Sequence, residues 1–276
     1  MTMARKPAIA CLFLGGDEAT SMKADLFQKY APVLCGPTPP RVRDPRLLMD
    51  ASGDVKIYYA PFEFINPAAR VVLVGMTPGP TQMVNGNNEA RRMLLAAQPP
   101  TDTEVIQAAM RIGAFSGEPL RSNLIKQLNH WGFHEWLGLS NSADLFEDAR
   151  HLMQTTSLLR YPVFVQDHPY CGLPDMIKHP LLSRYLHEHF VADIKNLENA
   201  VFVGLGPRVQ KVLDRLIQER VLDPDRVIGG MLHPSGNNTF RINYLVGERN
   251  ASVPSVTNPV PYDQGRRTFR KRFLNA

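Results

Sequence analysis

Apolar residues along this chain gather in short, mostly β-branched runs that stop at glycine or proline, and longer stretches of helical spacing separate them. The sharpest run is Val71-Val72-Leu73-Val74, which leads straight into Gly75-Met76-Thr77-Pro78-Gly79-Pro80. A continuous apolar run predicts a strand buried on both faces. The turn behind it predicts a backbone fixed by proline and opened to unusual φ by glycine. Val55 to Ala60 alternates loosely and predicts an edge strand. Thr155 to Val165 predicts a second core strand limited by Pro162, and Ala200 to Val203, ended by Gly204-Leu205-Gly206-Pro207, a third. Arg226 to Leu232 predicts a fourth, interrupted by Gly229-Gly230 and followed by His233-Pro234-Ser235-Gly236.

Between these runs, Leu120, Leu124 and Leu128 recur every four residues and predict an amphipathic helix over Leu120 to His130. Further helices are predicted over Ser21 to Tyr30, Glu89 to Gln98, Leu181 to Leu197 and Arg208 to Arg220, with Leu137 to Met153 helical in part. Thr101 or Asp102 can cap another that runs to Ile112. Thr81 to Asn88 reads as a polar connection, Gly113 to Pro119 as a second Gly/Pro turn, and His168 to Pro180 as loop. Strand alternating with helix predicts an α/β fold: three-layer α/β/α with a central, mostly parallel four-stranded sheet. It predicts one domain over residues 1–276, with an irregular lead-in at 15–54 and a tail at 247–276 that is Pro-rich and then basic and solvated. Ile9 to Leu14 is too short for a signal peptide's apolar region and reads as a short strand.

Composition narrows the class. With 44% hydrophobic and 21% charged residues the chain can bury a core and is not disordered. Its formal charge of +5 is a mild basic excess that leans toward polyanionic partners. Three separated cysteines, Cys11, Cys35 and Cys171, without a Cys-x-x-Cys pair, exclude a disulfide framework or four-thiolate cluster within the chain and suit a reducing cytosol. No apolar run reaches membrane-spanning length.

Parallel strands laid side by side bring their carboxyl ends to one crevice. Delivered there are Thr77 with its loop, Thr156 to Arg160, Gly204-Leu205-Gly206, and His233 with Ser235. Such a set, with one imidazole and few carboxylates, suits a neutral planar ring or a phosphate better than metal-assisted hydrolysis. For Gly75 to Pro80 alone, a ligand loop and a plain strand-to-helix turn both stay open. Gly204-x-Gly206-x-x-Val209 superficially matches a dinucleotide fingerprint, but its third position is not Gly or Ala and the unit comes late in the chain. No phosphate-loop motif and no Gly-x-Ser-x-Gly elbow occur. The pairs His130 with His134, His168 with Cys171, and His187 with His189 lack further ligands, so the histidines read as packing or surface residues and no metal is expected.

Gly75 to Pro80 after a buried strand, with His233-Pro234-Ser235 after the last core strand, resembles the two signature motifs of the uracil-DNA glycosylase superfamily. The first motif is closest to the single-strand-selective monofunctional branch, which carries Asn where this chain has Thr77. Ala114-Phe115-Ser116-Gly117 resembles the family segment whose phenylalanine stacks on the extruded base. Thr156 to Arg160 resembles the strand that reads the uracil edge with an Asn, here Ser157. The likeness spans roughly Pro61 to Tyr244, and the cysteine content excludes the iron-sulfur branch. The resemblance implies a DNA glycosylase, without cofactor, acting as a monomer on flipped-out bases. His233 would stabilise the departing base, with Thr77 as the second catalytic position, and Phe115, Ser157 and Met76 would hold that base. Pro78, Gly79, Pro80, Ser235 and Gly236 would pinch phosphates through backbone donors, and Phe240 or Arg241 would fill the vacated stack. Glu89 and Glu118 are the carboxylates nearest in sequence that can activate water. Thr77 and Ser157 together also admit a non-catalytic DNA- or base-binding protein, or a hydrolase of small nucleotides.

Overall fold

A computed structural model describes residues 16–98, 100–247 and 257–275. The chain begins with α1 (Gly16–Cys35) and the strands β1 (Leu48–Ser52) and β2 (Val55–Tyr58). Then come β3 (Val71–Gly75), α2 (Pro80–Leu94), α3 (Asp102–Gly113), α4 (Leu120–Trp131) and α5 (Phe133–Leu137). Next are β4 (Met153–Ser157), β5 (Val163–Val165) and β6 (His168–Pro169). Helix α6 (Pro180–Tyr185) passes through a π-wound stretch, Leu186–Val191, into α7 (Ala192–Ile194). Last come β7 (Val201–Gly204), α8 (Pro207–Gln218), β8 (Val227–Ile228), α9 (Thr239–Leu245) and α10 (Val260–Phe273).

The fold is mixed α/β, and the strands predicted for the core form one four-stranded parallel sheet in the order β4-β3-β7-β8. Every residue of β3 is buried, which explains its unbroken apolar run. Val72 and Val74 join one apolar cluster with Phe202, while Val71 and Leu73 join another with Val201 and Val203. Strand alternation thus spends each side chain on one of two cores, each burial contributing about 1.5–3 kcal/mol. In register, Gly75 lies opposite Ser157 and Val74 opposite Gly204, so the strand ends are level where the site is built.

Several expectations are corrected. Thr155 to Val165 is two strands in two sheets: β4 ends at Ser157, the chain turns through Pro162, and β5 joins an antiparallel sheet ordered β1-β2-β5-β6. Val55 to Ala60 contains no edge strand, because β2 is flanked by β1 and β5 and buries Val55, Ile57 and Tyr58. Thr81 to Asn88 is helical. Pro80 starts α2 at a position where its missing N–H costs nothing, and Gly86 admits the Phe62 ring beneath the helix. Thr101 caps α3 as expected, with Glu104 accepting from its N–H at 2.8 Å. Arg226 to Leu232 keeps only Val227–Ile228 as strand, although Gly206 N–H still donates to Met231 O.

The basic tail is not a solvated end. Helix α10 buries Tyr262 and Phe269, and Phe269 stacks on Phe133 at 4.1 Å and meets Trp131 and Trp136. Three of its four arginines are also engaged: Arg266 donates to His130 O, Arg270 pairs with Glu135, and Arg272 pairs with Asp225. The predicted strand Ile9 to Leu14, Cys11 and the tail segment 248–256 lie outside the described residues. No described helix is long and apolar enough to cross a membrane.

Candidate functional site

A cavity of about 160 Å³ opens at the carboxyl ends of β3 and β4. Of the residues singled out in the sequence, Thr77, Pro78, Gly79, Phe115, Ser157 and His233 all line it. They come from separate parts of the chain and are brought together by the level strand ends.

His233 is held by its backbone. The buried side-chain amide of Gln127 on α4 accepts from Leu232 N–H at 2.9 Å and donates to Leu232 O at 3.1 Å. Buried Asn123, one turn earlier, donates to Pro234 O at 3.1 Å, and Asn238 donates to His233 O at 2.8 Å. Three side-chain amides therefore replace the strand pairing lost beyond β8. At the ring, Nδ1 accepts from Ser235 N–H at 3.3 Å, which leaves the proton of the neutral imidazole on Nε2. Burial pushes the imidazole pKa down, so the neutral form prevails near pH 7.

Phe115 has φ of +48°, a left-handed backbone that costs a non-glycine residue free energy. The turn is fastened from both sides. Gln82 on α2 donates to Ser116 O at 3.0 Å, Asn85 donates to Ser116 Oγ at 3.0 Å, and Ser116 Oγ donates to Gly113 O at 2.7 Å. The ring comes to rest over Gly75, where a Cβ would lie 3.3 Å from Phe115 Cζ and 3.4 Å from Ser157 Oγ. Glycine at the end of β3 is thus what lets the aromatic face and the Ser157 hydroxyl share one corner of the cavity.

Thr77 faces the cavity, but its hydroxyl is spoken for: it donates to Tyr161 O at 2.9 Å and accepts from Val163 N–H at 3.2 Å. It ties the first loop to β5, so the catalytic role expected for it gives way to a positioning one. Phosphate pinching by the backbone of Pro78, Gly79 and Pro80 is corrected on chemistry. The prolines have no N–H, and Gly79 N–H donates to Gln82 Oε1 at 3.0 Å. Ser235 N–H is likewise taken by His233, and Gly236 packs on the Pro119 ring.

Met76 does not reach this cavity. It lines a different one with Tyr170, Met176 and Arg208, because alternation along the strand turns it to the other face from Gly75 and Thr77. Phe240 stands 67% exposed on α9, and Arg241 supports Asn238 at 3.3 Å. Neither carboxylate proposed for water activation faces the cavity. Glu89 is held low in pKa by Arg92, and Glu118 is exposed and accepts from Ser122 N–H. Among the described residues, no carboxylate lines the cavity and no group of three His, Cys, Asp or Glu is placed to hold a metal ion.

Three residues that shape the cavity carried no individual role in the sequence, although Arg160 closes the stretch placed at the crevice. Phe62 lies in its wall, slotted between Gly86 and Gly113, where a Cβ on either would meet its ring. Gln82 could have been suspected from its place in the first turn of a helix behind a Gly-Pro loop. Arg160 carries a buried guanidinium into the wall, ion-paired with Asp193. Near it, Glu63 is fully enclosed and accepts from Tyr161 O–H at 3.2 Å. Burial pushes the Glu63 carboxyl up to about 7 against the pull of Arg160.

In comparisons with known proteins, the chain is 36% identical over 196 residues to the uncharacterized protein YoxB of Bacillus subtilis (strain 168). That alignment covers 68% of this chain and 74% of YoxB. No family model matches the chain, and no solved structure matches it significantly.

Proposed function

We propose that this chain, which belongs to the same family as Bacillus subtilis YoxB, is a uracil-DNA glycosylase-like hydrolase that removes uracil or a related damaged base from DNA. The observation that carries this reading is the pairing, in one cavity, of the Phe115 ring with a neutral His233 whose Nε2 holds the proton. The two apolar clusters on opposite faces of the parallel sheet support the three-layer α/β/α arrangement that this reading carries with it.

The chemistry follows from those two groups. A base turned out of the stack lies against Phe115, with Ser157 and Thr156 at its polar edge. As the N-glycosidic bond breaks, the electron pair leaves with the base and positive charge develops on the sugar. His233 Nε2–H donates to the base oxygen that gains negative charge. Because the imidazole is held neutral and aimed beforehand, it needs no reorganisation during bond cleavage. Water adds to the sugar carbon, and the proton it loses ends on the departed base anion or in bulk water. With no carboxylate in the described lining, the groups named here act on the departing base rather than on the water. A binding protein of the same architecture is the second reading, favoured by the Thr77 hydroxyl being committed to backbone.

The test incubates the full chain with labelled single- and double-stranded oligonucleotides, each holding one uracil, hypoxanthine, xanthine or oxidised pyrimidine, and reveals abasic sites with alkali. Cleavage that is lost in His233→Ala supports the glycosylase. Binding without cleavage moves the assignment to the non-catalytic protein, and absence of both cleavage and binding moves it to free nucleotides.

A further inference from the structure

A second cavity, of about 360 Å³, continues from the first along β4, and Met110, Ala114 and Thr155 belong to the walls of both. Its lining brings Arg111 at the end of α3 next to Arg150 from the turn before β4. Arg121 on α4 is outside the lining, but its guanidinium carbon lies 5.2 Å from the centroid of Phe146, which belongs to it. Burial, then Arg111 and Arg121, lower the pKa of Arg150, with only Glu147 acting in the opposite sense.

These three charges are only partly answered by the protein: Glu89, whose carboxyl Arg111 helps hold low, is hydrogen-bonded first to Arg92. Among the described residues none of them takes part in an ion pair. Arg150 donates to the carbonyls of Arg111 and Phe146, which uses part of its five-donor fork. Arg121 Nε is buried without a hydrogen-bond partner. The carboxylate in the lining, Glu104, is already committed to the Thr101 N–H and hydroxyl. A half-buried cluster of like charges beside open space is costly unless an anion completes it, and guanidinium forks match the oxygens of phosphate.

We propose that Arg111 and Arg150, with the charge of Arg121 at the Phe146 ring beside them, form a phosphate-binding subsite, which receives a phosphate of the same ligand whose base enters the first cavity. The shared walls make one molecule spanning both cavities the economical occupant. Phosphate binding itself stands without the base-pocket reading; only the assignment to one ligand rests on it. The phosphate is either the monoester of a free nucleotide or a diester of a nucleic-acid strand.

Calorimetric titration of inorganic phosphate into the full chain at low ionic strength tests the subsite. Arg111→Gln and Arg150→Gln should each raise Kd by about tenfold or more, and His233→Ala should leave it unchanged. Absence of phosphate binding to the wild type, or equal Kd in wild type and both arginine variants, overturns the subsite. Deoxyuridine monophosphate, deoxyuridine and a uracil-containing single strand then identify the source. Weakening of the monophosphate alone by the arginine variants supports a monoester, and weakening of the strand supports a diester. If neither responds while inorganic phosphate does, the link to the first cavity is overturned and the subsite stands. In both arms circular dichroism confirms that each variant is folded.

Discussion

Gly206 and His233 stand so close that a Cβ on the glycine would lie 3.2 Å from the histidine Cβ and 3.4 Å from its amide nitrogen. Gly206 also sits at φ of +99°, where an L side chain is strained. The turn that superficially matches a dinucleotide loop is therefore the floor on which the imidazole rests. Gly206→Ala should lose about 1–3 kcal/mol of stability, measured by urea unfolding. The His233 ring resonances should shift in the same variant. An unchanged unfolding midpoint with unshifted resonances would remove Gly206 from the construction of the site.

Gln127 is fully buried and bonds both backbone groups of Leu232. Gln127→Leu keeps much of the volume and leaves a buried N–H and C=O unpaired, an expected cost of about 2–4 kcal/mol in denaturant unfolding. Asn123→Ala should also destabilise, because it frees Pro234 O and the Thr239 hydroxyl. If either variant unfolds at the wild-type denaturant concentration, the amide clamp contributes nothing.

Glu63 and His233, both shifted by loss of solvent, give opposite pH dependences. Glu63 has a folded pKa of about 7 against an ordinary 4.5, so the folded state binds the extra proton. Its contribution to stability is complete below about 4.5 and is lost as pH rises through about 7. Glu63→Gln, which can still accept from Tyr161, should become more stable relative to wild type between pH 5 and pH 8. Unfolding midpoints that run parallel over that range would contradict the shift.

For His233 burial lowers the pKa below 6.5, and the unfolded chain takes up the proton first. The stability linked to it is complete above about 6.5 and is lost as pH falls below that value through the folded pKa. His233→Gln should flatten the acid side of the stability profile, read as urea midpoints from pH 7 down to pH 4.5. A slope identical to wild type there would mean that the imidazole is not held neutral.

Phe269 fixes α10 to the second apolar cluster through Phe133, Trp131 and Trp136. Phe269→Ala should cost about 3–5 kcal/mol and alter the fluorescence of both tryptophans. Little change in either would return the C-terminal segment to the status of a solvated tail.

Much of the parallel sheet was legible because its signals are local. The run Val71 to Val74 declares a strand buried twice over, Thr101 with Glu104 declares a helix start, and glycine and proline mark where strands stop. The same signals put His233, Phe115 and Ser157 at strand ends or turns, and the cavity does join them. The structure alone decided that Thr155 to Val165 divides between two sheets, because Pro162 N-terminal to β5 redirects a chain whose composition is uniform.

Only the tertiary structure assigned Gln127 to Leu232, Thr77 to Tyr161 and Gln82 to Ser116. A buried amide or hydroxyl has no period and no turn signature, and its partner is whichever unpaired backbone group the packing brings near. The burial of Phe269 was hidden for a related reason. The arginines around it dominate the local composition, while the apolar face becomes visible only against Trp131 and Phe133. Sequence by itself therefore determined where the chain runs straight, turns and stops. Folding in three dimensions determined which polar groups are spent on holding His233 and Phe115 and which, such as Arg111 and Arg150, line open space.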